Sequence, residues 1–325
     1  MLCHSDKGLP IAYTVVRNLF PSCRSERSRK MKLMTLMDDQ ASEHLGLYHE
    51  HGLSFYIETA SARILFDFGA GSHTLDNARA LNLPLSSVNY MVGSHGHYDH
   101  AGGYPALVRS GLRAPLVTGR GYFREKYAVS GIRMTYLGNG FDQTFLEANQ
   151  IEHLECDGLL QLSGQCWVMN RFQREYDFET IPRRFMLGSS SAASPVSPHW
   201  QEDRFDDEIC LIIRVRDGLA VIVGCSHPGI LNILTGVQKT FDLPIVAVAG
   251  GTHLMEASDD RIRRTLEIMR SMGICSIGFN HCSGSRMSEI MSREFPDLRA
   301  AHLAVGDGLL IPEEEGAGAM DMQPT

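Results

Sequence analysis

A chain of 325 residues, 43% of them hydrophobic, has the material for one large domain or two ordinary ones around a sizeable core, so a globular enzyme is the default class. Its formal net charge of −8, from 30 Lys plus Arg against 38 Asp plus Glu, argues against nucleic acid or an anionic membrane as the main partner. A small-molecule substrate, anionic or not, stays open.

The cysteines, Cys3, Cys23, Cys156, Cys166, Cys210, Cys225, Cys275 and Cys282, follow no framework spacing in a chain too long to need disulfide staples, and read as reduced thiols of a cytoplasmic protein. No apolar run reaches the roughly 18–20 residues of a membrane span. The stretch Leu9 to Phe20 is interrupted by Arg17, so no signal peptide is expected.

Residues 1–30 end in the basic, aperiodic run Ser22 to Lys30 and read as a disordered extension, with Met31 or Met34 an alternative start. From Lys32 to Met37 a first strand is expected. Leu53 to Glu58 alternates, and Arg63 to Asp67 is apolar up to its acid and closed by Gly69 and Gly71; both read as strands. A helix over Thr74 to Leu81 follows, then a strand at Val88 to Val92, a histidine cluster, Gly102-Gly103 and a helix over Tyr104 to Val108. The stretch from about 119 to 205 mixes charges, aromatics and a Ser/Pro-rich loop at Gly188 to Pro198, and reads as irregular strands forming a lid or insertion. Its ten Lys plus Arg between 113 and 204 face eleven acids, so it makes no basic patch.

The second half alternates strand and helix. Strands are expected at Glu208 to Arg214 and Leu219 to Gly224, then helix Ile230 to Thr240, strand Ile245 to Ala249, helix Asp259 to Met272, strand Ile274 to Phe279, helix Ser285 to Phe295 and a last strand near Ala300 to Val305. That rhythm is the pattern of sheets covered by helices. One domain over 31–312, with a flexible tail at 313–325, is the expected organisation.

Chemistry concentrates in Ser94-His95-Gly96-His97-Tyr98-Asp99-His100, just after an apolar strand and before a helix. His95 and His97 alternate, so an extended segment turns both rings the same way. Asp99 and His100, at the turn into the helix, can face a second ion. Imidazole suits zinc, iron, manganese or nickel, and an added carboxylate tolerates harder ions. Cys225 and His227 end an apolar strand and His281 ends the next strand but one, where α/β sheets place active-site groups.

The cluster resembles the His-x-His-x-Asp-His signature of the metallo-β-lactamase superfamily. That resemblance implies an α/β fold, an αββα sandwich of two mixed β-sheets covered by helices, with two divalent ions, zinc or else manganese or iron, holding a hydroxide. His95 and His97 match the ligands of one ion, and Asp99 and His100 those of the other. Asp67 matches the acid that braces the metal loop, and with Asp99 it is assigned to the catalytic machinery.

Glu50-His51-Gly52-Leu53-Ser54, Gly224 to Ile230, Gly250 to Leu254 and Asn280 to Gly284 look like the set of one branch, metal-dependent hydrolases related to an archaeal dihydropterin-(ribofuranosyl)aminobenzene phosphate synthase. The resemblance covers about Met31 to Ile311. Most of the superfamily has a bridging carboxylate where this chain has Cys225, and another histidine from an earlier loop; His153 and His199 lack the context for that role. His227 is therefore assigned to the missing imidazole position, His281 to the second ion, and Cys225 is a candidate thiolate ligand, a small buried residue being the alternative. His253, Glu50 and His51 are expected at the substrate.

The leading expectation is hydrolysis of a small ester, phosphoester or related substrate. A synthase-like transfer, in which the ions bind a diphosphate leaving group, is the second; Tyr122, Phe123, Tyr127 and Trp167 are available to stack on a pterin. A non-catalytic metal- or ligand-binding protein is the third. The glutamate of the flavodiiron enzymes is replaced by His97, and neither a nucleic-acid track nor an export signal for antibiotic hydrolysis is evident.

Overall fold

The computed structural model describes residues 16–17, 29–41, 43, 46–189, 199–274 and 276–313. Most of the expected extension at 1–30, the expected tail beyond 313, the core of the Ser/Pro-rich loop and Cys275 lie outside the described residues.

Two mixed sheets stack face to face. The first has eight strands in the order Val16–Arg17, Gly308–Pro312, Lys30–Met37, Ser54–Glu58, Arg63–Phe66, Tyr90–Gly93, Leu116–Gly119, His153–Cys156. The second has seven: Leu159–Ser163, Cys166–Met169, Cys210–Val215, Gly218–Val223, Ile245–Gly250, Ser276–Phe279, Arg299–His302. Both inner strands of the expected pattern are apolar without a break because each is buried on two faces. In Gly218–Val223, Ala220 and Ile222 face the other sheet alongside Phe55, Ile64 and Val92, whereas Leu219, Val221 and Val223 meet the helices Ile230–Phe241 and Asp259–Ser271. Helices His73–Ala80 and Tyr104–Arg109 cover the outer face of the first sheet in the same way. The result is the expected αββα sandwich.

Two readings of the sequence need correction. Residues 119–205 are not one insertion: His153–Cys156 and Leu159–Ser163 are edge strands of the two main sheets, Cys166–Met169 is the next strand in from Leu159–Ser163, and only Lys126–Ser130, Arg133–Tyr136, Phe185–Ser189 and His199–Glu202 form a separate four-stranded antiparallel sheet. The expected last strand is likewise two, Arg299–His302 in the second sheet and Gly308–Pro312 in the first, separated by a turn that carries the chain from one sheet to the other.

Register sets the site. Strands Arg63–Phe66 and Tyr90–Gly93 run parallel with Phe66 opposite Val92, and in the second sheet Val223, Gly250 and Phe279 stand in one row. The next residues along, Asp67, Ser94-His95, Gly224-Cys225, Gly251 and Asn280-His281, therefore emerge at the same end of the two sheets. Loop packing at that end is close. A Cβ on Gly103 would stand 1.9 Å from the Phe68 carbonyl oxygen and 2.5 Å from that of Gly71. Gly103→Ala is expected to lower the unfolding free energy by about 3 kcal/mol, the upper end of ordinary overpacking, measured as a drop in the urea midpoint.

Candidate metal centre

His95, His97 and His227 are buried together, the last two lining one cavity, with a ligand nitrogen from each within 4.8 Å of the others. Nε2 of His95, Nε2 of His97 and both nitrogens of His227 have no hydrogen-bond partner. An unsatisfied buried polar atom costs roughly 1–3 kcal/mol, and native folds keep few of them. Burial holds the three imidazoles well below their usual pKa. They are therefore neutral, dry donors aimed at one point, the state a metal ion requires.

A second donor set lies beside the first: Asp99, His100, Cys225 and His281, also within 4.8 Å of one another. His100 Nδ1 meets the Asp67 carboxylate at 2.7 Å, which leaves Nε2 to face the Cys225 thiol at 3.1 Å and Asp99 at 3.7 Å. His281 Nδ1 meets Asp39 at 2.6 Å and its Nε2 lies 3.2 Å from Asp99. Each imidazole thus has a carboxylate behind it, which fixes the tautomer that offers Nε2 inward.

Charge follows from these contacts. Burial opposes ionisation of Asp99, but the charges of His100 and His281 and a hydrogen bond from His281 hold its carboxyl far below the usual range. Burial likewise opposes ionisation of Asp39, and hydrogen bonds from His281 and His51 overcome it. Burial disfavours a charged His281, yet its bonds to Asp39 and Asp99 raise its pKa well above the ordinary value. Burial pushes the Cys225 thiol up. For Cys282, burial acts the same way but is outweighed by a hydrogen bond with Cys225 and the nearby His281 and His253, and the thiol falls to about 5.

The other expected site residues divide. His51 is half-exposed at the cavity mouth, its Nδ1 2.9 Å from Asp39 and its Nε2 3.3 Å from Asp99. His253 lines the cavity with its ring 4.4 Å from that of His227. Glu50 does not reach the cavity: it accepts the Gly71 N–H at 3.1 Å and pairs with His73 at 3.3 Å. Nor does Asp67, which is fully buried and accepts from the Ser94 N–H, the Ser94 hydroxyl and His100; it positions ligands and touches no substrate space. His153 is bound to Thr118 on the far strands, and the side chain of His199 lies outside the described residues. Tyr122 and Trp167 are buried, Phe123 packs on Phe141 and His153, Tyr127 packs on Tyr136 and Trp200, and none lines the cavity.

Sequence reasoning missed Asp39, although Asp38-Asp39 ends the strand Lys30–Met37 just as Asp67 ends Arg63–Phe66. It also missed the cavity wall of Arg184, Phe185, Met255 and Glu256, in which the Arg184 guanidinium makes two bonds of 2.9 Å to Glu256.

Residues 48–111 match the family profile of the metallo-β-lactamase superfamily. Over the whole fold the chain superposes, with a TM-score of 0.72 and 28% identity, on the crystal structure of a metal-dependent hydrolase of the β-lactamase superfamily, covering 87% of this chain and 100% of that one. In sequence profile and in fold the chain is similar to the metallo-β-lactamase superfamily. It is 27% identical to a 7,8-dihydropterin-6-methyl-4-(β-D-ribofuranosyl)-aminobenzene-5'-phosphate synthase of Methanocaldococcus jannaschii, over 82% of this chain and 92% of that one. An uncharacterized protein of the same archaeon is 29% identical over 73% of this chain and 85% of its own.

Two predictions follow from the donor sets. Asp67→Ala frees both Ser94 and His100 and should weaken metal binding about 10–100-fold, the usual effect of losing an outer partner, read by competition with a chromophoric chelator. The pH dependence of the metal-free protein is set by His95, His97 and His227, which stay neutral when folded but take up protons near pH 6.5 when unfolded. Their contribution is present above that pH and lost below it. His51 and His281 are raised and oppose this near neutrality, but below about pH 5.5 they are protonated in both states and the three depressed histidines dominate, each adding about 1.4 kcal/mol per pH unit. The denaturant midpoint should fall steeply below about pH 5.5, and less steeply in His97→Leu.

Proposed function

We propose that the chain is a metal-dependent hydrolase of a small ester, phosphoester or related substrate, with two divalent ions held side by side. The observation that carries this reading is that two donor sets, three imidazoles and an Asp–His–Cys–His group, lie beside one cavity, into which His97, His227, Asp99, Cys225 and His281 open. Bound there, the ions, zinc in our reading with manganese or iron as alternatives, would supply Lewis-acid polarisation of a carbonyl or phosphoryl oxygen and a water acidic enough to react at neutral pH.

The chain's own residues do the rest. His95, His97 and His227 would hold one ion; Asp99, His100, His281 and Cys225 would hold the other. Asp67 keeps the His100 proton on Nδ1, and Asp39 does the same for His281. His51 and His253 stand on two sides of the cavity with ring nitrogens available to orient a substrate, and Phe185 excludes water from the histidine side. A cavity of about 270 Å³ suits a small molecule. No helix among the described residues is long and apolar enough to cross a membrane, and the five described cysteines are free thiols, which fits a reducing compartment such as the cytoplasm.

A second reading, transfer with release of diphosphate, is favoured by the name of the curated synthase relative. The four aromatics expected to stack on a pterin do not line the cavity, which favours hydrolysis. Zinc-loaded protein is expected to hydrolyse generic carboxylic or phosphate esters without releasing diphosphate from a pterin diphosphate; diphosphate release with no ester turnover would replace hydrolysis by transfer. His97→Ala and Asp99→Ala should each lose bound metal and turnover together, by more than the about 10–100-fold expected for an outer partner. Full turnover in a metal-free variant would end the metal-dependent reading.

A further inference from the structure

A buried charge cluster lies behind the three-histidine set. Lys126, the first residue of strand Lys126–Ser130, is 1% exposed, with Nζ 2.6 Å from Asp203 and 2.8 Å from Asp207, both also buried. One ammonium therefore holds both ends of the segment 203–207 and draws it into a tight loop. Asp203 also accepts the Phe205 N–H at 2.7 Å, and Phe205 has φ +54°, a left-handed conformation that an aromatic residue adopts only when its surroundings force it.

That forced turn lays the Phe205 ring on His227, with centroids 3.7 Å apart and planes at 15°, and sets its edge against His97 at 5.3 Å and His95 at 6.1 Å. The same segment grips the backbone of both histidine-bearing loops. Asp207 accepts the N–H of Gly96, between His95 and His97, at 2.9 Å. Glu208 accepts the N–H groups of Ser226 at 2.5 Å and His227 at 2.9 Å. Neither Lys126, Asp207 nor Glu208 lines the cavity.

Stability alone is a poor reason to bury a lysine and two aspartates, since well-packed apolar side chains commonly do as well. A fixed geometry is a better one. We propose that segment 203–208, pinned by Lys126, is the positioning device of the three-histidine half-site: it sets the distance between the His95–His97 loop and His227, and with Phe205 it seals their nitrogens from water. The strand that carries Lys126 thereby bears on the three-histidine half-site, whereas His100 and His281 of the other set are braced by Asp67 and Asp39. This rests on the two-ion reading for its metal readout but not for its backbone readout.

The test uses the full chain, metal-free and zinc-loaded, in Lys126→Met, Phe205→Leu and, should Lys126→Met fail to fold, the isosteric Asp203→Asn. In metal-free Lys126→Met, amide hydrogen exchange at Gly96, Ser226 and His227, resolved residue by residue, is expected to speed up about tenfold or more. Strands Gly218–Val223 and Ile245–Gly250 should keep the parent's protection. Zinc bound per chain should fall from two to one, and Phe205→Leu should weaken the weaker of the two zinc affinities about tenfold. Unchanged exchange at the three amides in a folded Lys126→Met or Asp203→Asn protein would overturn the positioning role. If the parent itself binds fewer than two zinc ions, the dinuclear reading fails while the exchange result still decides the role of the segment.

Discussion

Asp67 places a carboxyl group where no solvent reaches it, and three donors surround it: the Ser94 N–H at 2.7 Å, the Ser94 hydroxyl at 2.8 Å and His100 Nδ1 at 2.7 Å. Burying such a group is costly unless its oxygens are satisfied. Here they are, and the bonds fasten the end of strand Arg63–Phe66 to the end of strand Tyr90–Gly93. Because the Ser94 hydroxyl gives its proton to Asp67, it accepts from His95 Nδ1 at 3.0 Å, so the bare nitrogen of His95 is Nε2. One carboxyl therefore fixes a tautomer in each donor set. The two sets share a hinge of three residues, which is why they sit side by side.

The density of ligand-type residues in 94–100 and the apolar strands ending at Asp67, Cys225 and His281 were legible because each is a local pattern. The sandwich was legible for the same reason: strand and helix alternate with the periods their burial demands. Glu50 was misread because neighbouring residues of an extended segment point in opposite directions. His51 reaches the cavity and Glu50 the loop at Gly71 and His73. Asp39, Lys126 and Asp207 escaped because their partners are remote in sequence: 242 positions separate Asp39 from His281, and 111 separate Gly96 from Asp207. No window of local periodicity contains such a pair.

The division of 119–205 has a physical cause as well. Strands at the edges of a sandwich are short and only partly buried, so Leu159–Ser163 carries mixed exposure and little of the apolar run that marks the central strands. In the separate four-stranded sheet every residue of strand Arg133–Tyr136 is exposed. The sheet is tied to the sandwich by ion pairs, from Lys126 to the segment 203–207 and from Arg184 to Glu256, and by the Phe185 ring packed against His97, Phe205 and His227.

Asp38 and Asp39, at the end of the first long strand, bind the His281 backbone, the His281 ring and the His302 ring, the last of these 264 positions away. Synthesis proceeds from the N-terminus, and the early part of a chain can begin to fold before the rest exists. The His-rich loop can form in that early part, but Cys225, His227 and His281 have not yet been made. An ion captured at that stage would find an incomplete shell of His95, His97, Asp99 and His100. On the two-ion reading, selective, tight loading would thereby be deferred until the ribosome has delivered nearly the whole chain, and the finished sandwich would choose the metal.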